Sequence, residues 1–197
     1  MPTLLFRALI VFLCCGLGSA QAADFDPDQA DMLDILWLTL TAMIVFFMQT
    51  AFALLESGMS RAKNAVNVMM KNYFDVCIAI LMFSLTGYCL MFGESLYGWL
   101  GADKLFMVGI ENNREYAFLL FNAMFAATAA TISSRAMAER TRYHAYVLNA
   151  VVVSGLIYPL LAHWAWNDEG WLKSLGFVDF AGSTWYMVWA PGLRWLA

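Results

Sequence analysis

The chain has 197 residues, of which 62% are apolar and 13% charged; an ordinary soluble domain carries about 45–50% and about 25%. That composition excludes a soluble globular protein. A net charge of −4 with no run of like charge argues against a nucleic-acid surface or an interaction tail. In a bilayer, at about 20 residues per crossing, the length holds four or five spans joined by short loops.

In chain order, residues 1–22 read as a secretory signal: Arg7, a short apolar run from Ala8 to Leu17, and an Ala20-Gln21-Ala22 end. The competing reading is a first membrane span, which the shortness of the run disfavours. Cleavage after Ala22 would remove Cys14 and Cys15. Four apolar stretches then predict crossings at roughly 35–55, 76–92, 116–132 and 145–166. The second and third are short, but each is lengthened by a semi-polar helical stretch, Asn64 to Asp75 before one and Ser133 to Ala138 after the other. A fifth begins at Asp179. The fold class is therefore all-α, a polytopic membrane helix bundle.

The loops set an orientation. Arg61, Lys63 and Lys71 follow the first span, and Arg135, Arg140 and Arg142 follow the third. The opposite side holds only Lys104, Arg114 and Lys173, among Glu94, Asp103, Glu111, Glu115, Asp168, Glu169 and Asp179. The positive-inside rule places the N-terminus outside, as a signal peptide requires. Trp164, Trp166 and Trp171 gather at the outer end of the fourth span, a position that suits an aromatic belt. Pro159 should kink that span. Cys77 and Cys89 lie about 18 Å apart along one helix, too far to bridge, and read as small apolar packing residues. There is no phosphate loop, nucleophile elbow or Cys/His metal spacing, so neither an enzyme nor a metal or cofactor site is expected.

In the third span, Phe121 and Phe125 stand four apart on one helix face, and the Ala126-Ala127-Thr128-Ala129-Ala130-Thr131 run offers a smooth surface for close helix approach. More specific strings accompany it: Gln49-Thr50-Ala51-Phe52-Ala53-Leu54-Leu55-Glu56-Ser57-Gly58, Arg61-Ala62-Lys63-Asn64-Ala65-Val66-Asn67, Ala136-Met137-Ala138-Glu139-Arg140, Ala162-His163-Trp164-Ala165-Trp166, and Asp179-Phe180-Ala181-Gly182-Ser183-Thr184. Together, over about residues 31–184, they strongly resemble the ammonium transporter family. The resemblance implies eleven spans in two five-helix repeats of opposite topology, assembled as a homotrimer in the inner (plasma) membrane, with ammonium or ammonia as cargo. This chain matches most of the first repeat: four complete helices and the start of a fifth. By that resemblance residues 23–184 form a partial transporter domain. Inverted repeats place the substrate path at their mutual interface.

The resemblance also assigns residues. Trp166 and Phe121 align with the outer recruitment site, where aromatic faces attract a cation, and Phe125 with a gate beneath it. Asp179 aligns with an acidic residue near that site, and as an N-cap its carboxylate can accept amide N–H bonds from Ala181 or Gly182. His163 and His144 match neither pore histidine of the family. The first of those falls at Met187, and a thioether exchanges no proton near neutral pH.

From Trp185 onward the text departs from the family. One nucleotide restored before that codon lets the stretch read Val-Val-His followed by a Gly/Ala-rich helix, so residues 185–197 are expected to be an aberrant, out-of-frame tail. As written, the chain is expected not to conduct. The alternative function is an ammonium-sensing input module of a signalling protein.

Overall fold

The structure, a computed structural model, describes residues 27–103, 105–110, 112–137, 143–180 and 182. The signal-like residues 1–22 and the tail 185–197 lie outside the described residues. The chain divides into two compact units, Met1–Asp34 and Ile35–Ala197, and every candidate site residue belongs to the second.

Among the described residues four helices are long and apolar enough to cross a membrane: Asp31–Met59, Ala65–Phe92, Asn113–Arg135 and Tyr143–Ser174. The second is longer than its apolar text because the Asn64–Asp75 stretch is helical, as its pattern predicts. Its buried residues Val68, Asn72, Asp75, Val76 and Ala79 recur at three- and four-residue steps and form one inward face.

The second and fourth spans each carry one π-helical turn, Phe83–Gly87 and Val153–Ile157. These turns face each other. A Cβ added at Gly87 would lie 3.0 Å from Pro159 Cγ and 3.1 Å from Ser154 O. Pro159 lacks the N–H that would reach the Gly155 carbonyl four residues back. The Thr86 hydroxyl of the neighbouring span shares its proton between the Met82 carbonyl of its own helix, at 3.0 Å, and that carbonyl, at 3.3 Å. The proline is thus accommodated by a side chain of another helix.

The Ala/Thr face of the third span is buried as expected: Ala123, Ala126, Ala127 and Ala130 have no exposure, and Thr131 has 1%. One core cluster joins Val76, Ala79, Ala127, Ala130 and Val153 from three spans. A second gathers Phe83, Tyr88, Met91, Ile110, Leu119, Ala123, Ala126, Tyr158 and Ala162, with Phe125 and Trp166 packed against its edge. One of the two cysteines of the second span departs from the expected packing role. Cys89 is buried, but Cys77 is exposed.

Between the second and third spans, a short antiparallel hairpin pairs Ser95 with Gly101 and Leu96 with Leu100. It is pinned to the end of the fourth span by His163 and Trp164.

Candidate functional site on the third span and the end of the fourth

Phe121 and Phe125 meet edge to face, with ring centroids 4.9 Å apart and planes at 63°. This geometry suits the aromatic quadrupole and leaves both rings partly exposed. Trp166, at the last turn of the fourth span, also keeps part of its surface open. Its ring stands 6.5 Å from Tyr158 at a steep angle, and its Nε1–H donates to the Asp179 carbonyl at 2.8 Å. Asp179 is 8% exposed, and its Oδ1 accepts the Gly182 amide N–H at 2.8 Å. That bond is the N-cap-like contact expected from the sequence; Ala181 and Thr184 lie outside the described residues. Gly182 has φ +72°, a conformation glycine adopts without the penalty of a Cβ. Trp166, Asp179 and Gly182 are therefore linked by two hydrogen bonds, and Phe125 and Trp166 pack on one shared core cluster.

The other tryptophans do something else. Trp99 stacks on Trp171 at 5.6 Å and 22° and meets Trp164 edge to face at 5.7 Å. Trp164 Nε1–H donates to the Trp99 carbonyl at 2.8 Å. The three form a clasp between the hairpin and the fourth span. Trp166 has its own separate contacts with Tyr158 and Asp179.

His163 is wholly buried and tied at both ring nitrogens. Nδ1 lies 2.9 Å from the Met91 carbonyl, which can only accept, so Nδ1 carries the proton. Nε2 then accepts from the Ser95 hydroxyl at 3.0 Å. Asn167 Nδ2 lies 3.1 Å from Nδ1, but two donors cannot bond each other. It donates instead toward the Met91 and Gly93 carbonyls, at 3.3 and 3.4 Å. Glu169 Oε2 accepts from the Ser95 amide N–H at 3.3 Å. His163 thus locks the hairpin to the helix ends, which accounts for an intramembrane histidine without a proton-relay role. His144 is exposed beside Tyr143. Met187 lies outside the described residues, and no cluster of His, Cys, Asp or Glu that could hold a metal is present among the described residues.

Two polar constellations went unassigned from the sequence. Gln49 bridges the first and third spans: its Nε2 donates to Thr128 Oγ1 at 2.8 Å, and its Oε1 accepts from Thr131 Oγ1 at 3.0 Å. Near the end of the first span and the start of the second, Asn72 Nδ2 donates to Glu56 Oε2 at 2.8 Å, and Tyr146 Oη donates to Asn72 Oδ1 at 3.4 Å. A polar residue on an apolar helix is the available signal, but its partner lies many residues away.

The sequence profile of the Ammonium Transporter Family matches residues 36–189. A protein of Synechocystis sp., provisionally named an ammonium transporter, is 49% identical over 163 residues, which cover 77% of this chain and 30% of that protein. Ammonium transporter Amt2 of Archaeoglobus fulgidus is 39% identical over 194 residues, covering 89% of this chain and 40% of its own length. A solved structure titled Sensor Amt Protein superposes with a TM-score of 0.78 at 37% identity, covering 81% of this chain and 42% of that one. The chain thus spans well under half the length of these relatives. Four membrane-length helices in this arrangement, and a profile match over most of the chain, place it in the Ammonium Transporter Family as a multi-pass membrane protein.

Proposed function

We propose that this chain supplies the first half of a path for ammonium or ammonia across the inner (plasma) membrane, with its N-terminus outside, in a protein that assembles as a homotrimer. The observation that carries the reading is the constellation of Phe121, Phe125, Trp166 and Asp179 at the outer end of the bundle. A bare ammonium ion in hydrocarbon meets a Born penalty on the order of tens of kcal/mol, whereas neutral ammonia does not. Capture therefore comes first. Trp166 and Phe121 offer ring faces to the cation, an attraction worth about 2 kcal/mol or more once desolvated. The Asp179 carboxylate favours positive charge nearby, and its bond to Gly182 N–H holds the loop under Trp166. Phe125 closes the route beneath, so that the deprotonated molecule passes and the ion does not.

The test is a chimera in which residues 31–184 replace the matching part of a working family member, expressed in a transport-deficient cell with labelled methylammonium. Saturable uptake that weakens on Trp166→Leu and Phe121→Ala is expected. Background uptake by a chimera that reaches the membrane would overturn the assignment.

A second reading, an ammonium-sensing input module, is favoured by one observation, the likeness to the Sensor Amt Protein. A signalling region encoded downstream of this segment, whose output follows ammonium while uptake stays at background, would select it over transport.

A further inference from the structure

The inner half of the second span holds a carboxyl group that neither the outer aromatic site nor the helix contacts account for. Asp75 lies ten residues into the Ala65–Met82 helix, roughly 15 Å along its axis, and is 1% exposed. Neither of its carboxylate oxygens receives a hydrogen bond of full geometry; the Ser134 hydroxyl stands near enough to act on it but is turned to the Thr131 carbonyl. Around it stand Glu56 from the first span, Ser134 from the third and Tyr146 from the fourth.

None of these neighbours neutralises it. Ser134 Oγ donates to the Thr131 carbonyl at 2.9 Å, and Tyr146 Oη donates to Asn72. Among the described residues, the cations that act on Glu56 are engaged elsewhere: Lys71 Nζ lies 5.7 Å over the Tyr146 ring and Arg135 Cζ 5.4 Å over the Phe52 ring. Glu56 itself is buried, at 7% exposure, but it is bonded by Asn72.

An ionised carboxylate removed from water with no donor and no counter-ion is among the costliest groups to bury, and it persists only when something neutralises it. Close packing around Asp75, with Ala79 and Ser134 at zero exposure, favours the smallest neutralising species. We propose that Asp75 is a proton-binding site, carrying a proton as a neutral acid within the membrane. Glu56, Asn72 and Tyr146 lie between it and the helix ends at Met59 and Ala65, and form the polar side from which the proton is exchanged. The chemistry is protonation alone: one O–H bond forms on the carboxylate and no other bond changes. In a transport cycle Asp75 would give its own proton to the inner side before taking up one released by deprotonation of an ammonium at the outer face, one proton in for one out. That last link rests on the transport reading; the site itself does not.

The experiment is infrared spectroscopy of the purified chain in lipid at neutral pH, with aspartate isotopically labelled at its carboxyl carbon. A carbonyl stretch in the region of protonated carboxylic acids is expected. It should shift with the label and in heavy water, vanish completely in Asp75→Asn, and persist in Glu56→Gln. Asp75 and Asp179 are the buried aspartates among the described residues, so the band should also persist in Asp179→Asn. Should Asp75→Asn lose its helical circular dichroism, a label-sensitive band in the wild type that survives both other substitutions still assigns the proton to Asp75. Absence of any aspartate-labelled acid band, or its loss in Glu56→Gln or Asp179→Asn while Asp75→Asn retains it, overturns the proposal. Because the spectrum is read without transport, failure here is distinct from failure of the uptake assay.

Discussion

Substituting alanine at three glycines should separate the stability of the paired π turns from ordinary helix propensity. At Gly58 an added Cβ meets nothing within 4 Å, so Gly58→Ala is expected to stabilise by up to about 1 kcal/mol through propensity alone. At Gly155 the methyl would meet Thr86 Oγ1 at 3.3 Å and Met82 Cε at 3.4 Å. Those are ends of side chains that can give slightly, so propensity and crowding should nearly cancel. At Gly87 it would meet Phe83 Cδ2 at 2.6 Å, Pro159 Cγ at 3.0 Å and Ser154 O at 3.1 Å. Phe83 is fully buried, the proline ring is rigid and the third atom is backbone, so nothing yields cheaply. Overpacking of this kind costs about 1–3 kcal/mol. Thermal unfolding of the purified chain in one detergent, followed by circular dichroism, should rank stability Gly58→Ala above Gly155→Ala above Gly87→Ala. A Gly87→Ala protein as stable as Gly155→Ala would refute the close approach of the second and fourth spans.

Gln49→Ala removes two interhelical hydrogen bonds, while Thr128 and Thr131 keep their bonds to the Met124 and Ala127 carbonyls. With each such bond worth about 0.6 kcal/mol in a membrane protein, a loss of about 1 kcal/mol in the same melt is expected, and a loss of several would show that other contacts depend on it. Thr86→Val keeps the shape but strips the donor from the Gly155 carbonyl; about 1 kcal/mol of destabilisation is expected, and no change would mean that this carbonyl is satisfied within its own helix. His163→Phe should free the hairpin, seen as protease cleavage near Tyr97 at a rate at least several-fold above wild type, with the helix content retained. Unchanged cleavage would show that the tryptophan clasp alone holds the loop. Expressed by itself, the 197-residue polypeptide is expected to give background methylammonium uptake, and saturable uptake would overturn the view that both repeats must line the path.

Much of this protein was legible before any coordinates. Membrane composition, four spans, and the Ala/Thr face at Ala123–Thr131 follow from hydropathy and helical period, because each depends on residues within a few turns of one another. The Phe121–Phe125 pair follows for the same reason, being one turn apart. The family strings then pointed to Trp166 and Asp179. Their indole-to-carbonyl bond lies within one short loop, so even that contact was nearly local.

What only the tertiary structure decided is where the polar groups inside the bundle find partners. His163 matches neither pore histidine in the sequence, but its partners Met91 and Ser95, some seventy residues earlier, carry no local signal. Pro159 predicted a kink, but not the Thr86 hydroxyl that answers the carbonyl it leaves open. Gln49 with Thr128 and Thr131, Glu56 with Asn72, and the buried Asp75 carry no local periodic signal. In a solvent without water each polar group must be met by another part of the chain, and which part does so depends on how the helices cross.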